Sequence, residues 1–99
     1  MKAKNPETDL LRKVRDHVQA GKYIFAKHAL ERQKDRCINL KDVLRVLENG
    51  RHEKDKDIFE IKRQTWKHAI RGRTINGVDL RVIVAFQGKM IIITVMRVD

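Results

Sequence analysis

His28, Arg32 and Arg36 recur at a spacing of four residues, which on a helix sets all three on one slowly drifting face. Imidazole moves protons near neutral pH, and guanidinium grips a phosphate through paired hydrogen bonds. That face would join a proton carrier to two phosphate grips. The same spacing equally suits a capping histidine followed by two solvated arginines. A second concentration lies between Lys62 and Arg81, where Lys62, Arg63, Lys67, Arg71, Arg73 and Arg81 stand against Asp79 alone. Trp66 in this segment offers a ring on which a base could stack. Basic strands with an aromatic suit single-stranded RNA; a core tryptophan beside a charge-defended sheet edge is the plainer alternative.

Other chemistry finds little support. The four histidines, His17, His28, His52 and His68, show no ligand spacing of the HExxH kind. Cys37 is the single cysteine, so neither an internal disulfide nor a cysteine-based zinc site is expected. No motif supports a carboxylate metal site in the acidic 53–60 stretch, and no metal or cofactor is expected. A Ser–His–Asp set, a phosphate-binding glycine loop and paired carboxylates are all lacking. Thr94, within the apolar run Ile91–Val95, needs a hydrogen-bond partner and either faces a site or fills a strand position.

The elements that must position these residues follow from periodicity. Residues 1–6 are expected to fray. Glu7 and Asp9 suit the positive end of a helix dipole, and Leu10, Leu11, Val14 and Val18 repeat at helical spacing until Gly21 stops the helix near Ala20. Tyr23-Ile24-Phe25 is either a brief strand or an extended lead-in. A second helix runs from Lys27 to Arg36, with Ala29 and Leu30 inward, and breaks at Cys37-Ile38. Asn39 caps a third, whose apolar face is Leu40, Val43, Leu44, Val46 and Leu47, closed by Gly50.

Arg51–Asp57 reads as a charged loop and Ile58–Arg63 as a short helical turn. Trp66–Thr74, Leu80–Phe86 and Lys89–Met96 read as strands joined at Asn76-Gly77 and Gln87-Gly88. Helices followed by a meander predict an α+β fold, N-terminal helices packed on an antiparallel sheet of three to four strands. The last two strands are apolar on both faces and are expected to be central and largely covered. Period two sets Trp66, His68 and Ile70 on one side of their strand and Lys67, Ala69, Arg71 and Arg73 on the other; which side meets solvent stays open.

Ninety-nine residues predict one domain, and 41% hydrophobic residues are too many for a disordered tail. Lys and Arg number 23 against 13 Asp and Glu, a net charge of +10. Such a field attracts polyanions. The apolar stretches Val82–Phe86 and Met90–Met96 are too short to span a bilayer, and the first residues lack the apolar run of a signal peptide. A cytoplasmic protein without membrane partners is therefore expected.

Several segments together resemble a known family. They are His28-Ala29-Leu30-Glu31-Arg32, Arg36-Cys37-Ile38-Asn39, Asp42-Val43, Glu48-Asn49-Gly50, Trp66 to Thr74, Leu80 to Val84 and Ile92 to Val95. Their order and spacing resemble the bacterial domain-of-unknown-function 4258 family over about residues 23–97. Two departures stand out: Ala26 where relatives often carry Ser or Thr, and Cys37 where many have Gly. The resemblance implies kinship with the barnase–RelE superfamily of small toxins, which cut RNA without metal and pair with a small antitoxin protein. By that analogy His28 and Arg32 belong to the active site, joined by Arg71 and His68 from the sheet.

The leading expectation is therefore a metal-independent endoribonuclease, the toxin of a toxin–antitoxin pair. In it the RNA 2′-OH attacks the adjacent phosphorus. His28 serves as general base or acid, and Arg32 and Arg71 stabilise phosphoryl charge. Arg36, Arg63, Lys67, Arg73 and Arg81 hold flanking backbone, and Trp66 stacks a base. The alternatives are a non-catalytic RNA- or DNA-binding module and a basic domain that docks an acidic protein.

Overall fold

Proline suits the first helical position, where its missing N–H is not needed, and the first helix, α1, runs Pro6–Ala20. Its Leu10 and Val14 are buried, and Gly21 ends it at a φ of +71°. The computed structural model describes residues 6–36 and 38–98, with the backbone alone at 6–8 and 32–36. The sequence predicts fraying over residues 1–6, but Pro6 already belongs to the helix. Residues 1–5, the break at Cys37 and the side chains of Arg32 and Arg36 lie outside the described residues.

Tyr23–Phe25 is a strand, β1. The helix α2, Lys27–Arg36, follows and packs on the last strand of the sheet. Its buried contact is Ala29, whereas Leu30 is exposed, contrary to the expectation that both point inward. Adjacent helical residues point about 100° apart, so only one of them sits against the sheet. In α3, Leu40–Asn49, Asn39 and Asp42 form a reciprocal capping box of 2.9 and 3.2 Å. Val43, Val46 and Leu47 are buried; Leu40 stays exposed.

The expected loop at 51–57 contains a strand, β2 (Arg51–His52), and a 3-10 turn, Lys54–Lys56. Ile58–Glu60 is a strand, β3, and not a helical turn. Both strands pair antiparallel with β4, Thr65–Arg73, and the ladder satisfies backbone groups that a loop would leave to water. The polar residue at Glu60 suits a strand as well as a helix, and the waiting edge of β4 decides for the strand, while Ile61–Gln64 turn into β4.

With β5 (Asp79–Gln87) and β6 (Lys89–Arg97), the sheet is mixed, with six strands in the order β1-β6-β5-β4-β2 and β3 also on β4. β1 joins parallel to β6, and the rest is antiparallel. The fold is α+β, as expected. The sheet is wider than the expected three to four strands, because three short segments add to the meander.

The core lies between the helices and one sheet face, where Ile70, Leu80, Val82, Val84, Met90, Ile92 and Val95 meet Val14, Val43, Val46 and Leu47. Each such side chain contributes about 1.5–3 kcal/mol relative to exposure. Strand parity then fixes what the sequence left open. His68 and Trp66 share the helix side with Ile70, while Lys67, Arg71 and Arg73 point to the other face. On that other face Ile83, Ile91 and Ile93 are half-buried, so the last strands are less fully covered than expected.

Where α3 ends against β4, Gly50 and Gly72 cross closely. A Cβ on Gly50 would stand 2.5 Å from the Val46 carbonyl oxygen and 2.6 Å from that of Arg71. This crossing pins β2, and the turn that follows it, to β4.

Candidate functional site

Between β2 and β3 the chain leaves the edge of β4 for five residues, and this excursion builds the site. Ala69 of β4 would lose both its ladder partners there. The Glu53 N–H donates to the Ala69 carbonyl at 2.8 Å, and the Ala69 N–H donates to Asp57 Oδ1 at 3.0 Å. A side-chain carboxylate thus stands in for a missing strand carbonyl.

The second oxygen of Asp57 turns to two imidazoles. Oδ2 accepts from His52 Nε2 at 2.7 Å and from His68 Nδ1 at 3.0 Å. Burial pushes the Asp57 carboxyl upward, but the bonds from Ala69, His68 and His52 outweigh it and hold its pKa below the usual range. The His52 side chain is only 6% exposed, and its Nδ1 is buried without a partner. His68 is more open, and its Nε2 makes no hydrogen bond among the described residues.

Leu10, His52, Lys54, Asp57, Trp66 and His68 line a pocket of about 340 Å³ here. Trp66 stacks against His68 with ring planes 18° apart and meets Phe59 edge-on. At 51% exposed, Trp66 is not the core residue that the plainer sequence reading allowed.

The opposite sheet face carries a different arrangement. Arg71 and Arg81 are direct cross-strand partners, a pairing that repels unless compensated. Glu53, next along from His52 and pointing the other way, accepts from Arg81 Nε at 2.6 Å and from Arg71 Nη1 at 2.9 Å. Asp79 takes the remaining Arg71 donors, Nε at 2.9 Å and Nη2 at 2.7 Å. The Arg81 guanidinium, helped by Arg71 against the cost of burial, holds Glu53 at about 2. Two arginines and two carboxylates neutralise one another, so Arg71 and Arg81 are ion-paired within the fold.

A family model described as a domain of unknown function, DUF4258, matches residues 25–97. The chain belongs to this family. No curated protein and no solved structure matches it.

Within this DUF4258 chain, the residues singled out from sequence separate into groups. His68 and Trp66 line the pocket. Arg71 and Arg81 lie across the sheet from it, so strand parity keeps Arg71 away from His68. His28, in the first turn of α2, is 84% exposed, and its ionic neighbour is Glu31 at 3.8 Å. The helix carrying Arg32 and Arg36 packs on β6, while the pocket sits at β4. Lys67 and Arg63 lie 3.4 and 3.9 Å from Glu60. Arg73 is exposed and lines a polar groove with Arg51, Asn49 and Asp79. Thr94 belongs to a groove on the open face with Ile83, Ile93 and Met96.

Sequence reasoning missed His52, Lys54 and Asp57. Their segment read as a charged loop, and no local spacing ties His52 to His68. The available signal was the short interval between a histidine and an aspartate ahead of a strand that itself carries a histidine.

Proposed function

We propose that this protein cleaves RNA by attack of the 2′-OH on the adjacent phosphorus, with His68 rather than His28 as the reacting base. The observation that carries the reading is the Asp57–His68 pair at the mouth of a pocket beside an exposed tryptophan, in a chain of net charge +10. Asp57 binds Nδ1–H and so presents the lone pair on Nε2 as the acceptor. In the step, the 2′ oxygen bonds to phosphorus and its proton passes to His68 Nε2. The bond from phosphorus to the 5′ oxygen breaks, that oxygen takes a proton from water at the pocket mouth, and the hydroxide so formed recovers the proton held on His68 Nε2. The products are a 2′,3′-cyclic phosphate and a 5′-hydroxyl. Lys54 neutralises charge on the phosphoryl oxygens and Trp66 stacks a base, while Arg51 and Arg73, on the other sheet face, reach the backbone only where the strand passes round the β2 edge.

Helices on one face of an antiparallel meander suit the barnase–RelE analogy, which adds a toxin role and a small antitoxin partner to the reading. Fold analogy is a weaker support than the pocket. The test is cleavage of single-stranded RNA in chelator, with DNA of the same sequence as control. Wild type and His28→Ala are expected to cut RNA only, and His68→Ala to lose about a hundredfold or more in rate. Salt-sensitive binding without cleavage by any variant would make this a binding module. Loss on His28→Ala with retention on His68→Ala would return the base to α2.

A further inference from the structure

The geometry points to a binding site for one divalent transition-metal ion of the zinc class, formed by His52 Nε2, Asp57 Oδ2 and His68 Nδ1. These three atoms lie within 4.8 Å of one another. They come from three segments: β2, the residue after the 3-10 turn, and β4. Bonds of about 2.0–2.1 Å to a tetrahedral ion set ligand atoms about 3.3 Å apart. The carboxylate oxygen stands 2.7 and 3.0 Å from the two nitrogens and must retreat by a few tenths of an ångström. The two nitrogens, within 4.8 Å of each other, close toward the same spacing by small rotations of the rings.

The surroundings suit an ion. Asp57 Oδ1 is already held by the Ala69 N–H, which orients the carboxylate and leaves Oδ2 for the metal. Two imidazoles and one carboxylate favour zinc, cobalt, nickel or copper over magnesium or calcium. The pocket opens on one side of the cluster, so three protein ligands and solvent would complete the coordination, the pattern of a reactive site and not of a closed structural one. Lys54 lines the same pocket but is exposed on a flexible stem, and its ammonium can turn away. An ion on Nε2 leaves the His52 proton on Nδ1, which is buried without a partner, a cost that the three metal bonds have to offset.

This inference stands apart from the RNA reading and is tested without RNA. Tag-free protein is titrated with Co²⁺, followed by its visible absorption, and with Zn²⁺ by calorimetry. Wild type and His28→Ala are expected to bind one ion per chain, and to melt at higher temperature in zinc. His52→Ala, Asp57→Asn and His68→Ala are each expected to weaken binding at least about tenfold. Melting curves identify any variant that has lost its fold. Should Asp57→Asn unfold, His68→Ala, whose ring is partly exposed, carries the comparison. Absence of saturable binding to wild type, or binding that survives loss of His52 and of His68, overturns the proposal. Cleavage in chelator is unaffected by either result.

Discussion

Asp57 accepts three hydrogen bonds on two oxygens, two of them from imidazoles, and each bond to a charged group contributes about 1.5–3 kcal/mol. An amide at this position can offer only one acceptor oxygen, and its NH₂ would face a donor. Asp57→Asn is therefore expected to lower stability by about 2–3 kcal/mol, read as a shift of the urea midpoint. His68→Ala is expected to cost less, because the ring is partly open to solvent. The two proposed uses of His68 also exclude each other. An ion on Nδ1 leaves the proton on Nε2, which then cannot accept another. Excess zinc should slow RNA cleavage by about tenfold or more, and chelator should restore it; cleavage that quickens in zinc would instead make the ion part of the reaction.

At the scale of elements, the crossing of α3 over β4 has no room for a side chain at Gly50. Gly50→Ala is expected to cost about 1–3 kcal/mol, since the nearest atoms are backbone oxygens that cannot turn aside. Gly88→Ala meets nothing within 4 Å, and its cost of about 1–2 kcal/mol arises from the positive φ alone. Comparing their urea midpoints separates crowding from backbone strain. Glu53 joins β2 to β4 and β5 through two arginines. Its folded pKa of about 2 lies below the ordinary 4.5, so its contribution is full above pH about 4.5 and fades as pH falls toward 2. Glu53→Gln should flatten that acid limb in melting temperature against pH, and lower stability at neutral pH. The three helices and the strands of the meander were legible because their periods are long and their caps, Asn39 and Gly21, are explicit. The short strands at 51–52 and 58–60 were not, because two- and three-residue segments have no period and form only where an edge is waiting. Half of the pocket shares their obscurity: His68 and Trp66 sit on a readable strand, whereas His52 and Asp57 sit where tertiary pairing alone decides the backbone.

Over the whole molecule, the net charge of +10 is unevenly available. Arg71 and Arg81 are tied to Glu53 and Asp79, whereas Arg51 and Arg73 are exposed. RNA binding should weaken linearly in log affinity against log salt, by about 0.7 per phosphate neutralised on a single strand. Arg73→Ala is expected to reduce that slope by about one such increment without altering the melting temperature, while Arg81→Ala should lower the melting temperature. Another consequence follows from how β6 ends. β1 covers it only at Met90, Ile91 and Ile92, and the register against β5 slips at Ile93, which stands opposite no residue. Beyond that point the outer edge of β6 has no strand beside it among the described residues, an invitation to pair with another copy. The bulge bends this edge out of the flat geometry that such pairing needs. Deleting Ile93 would make the register continuous while keeping Val82 opposite Val95, and is expected to raise light scattering above that of the unaltered chain at equal concentration.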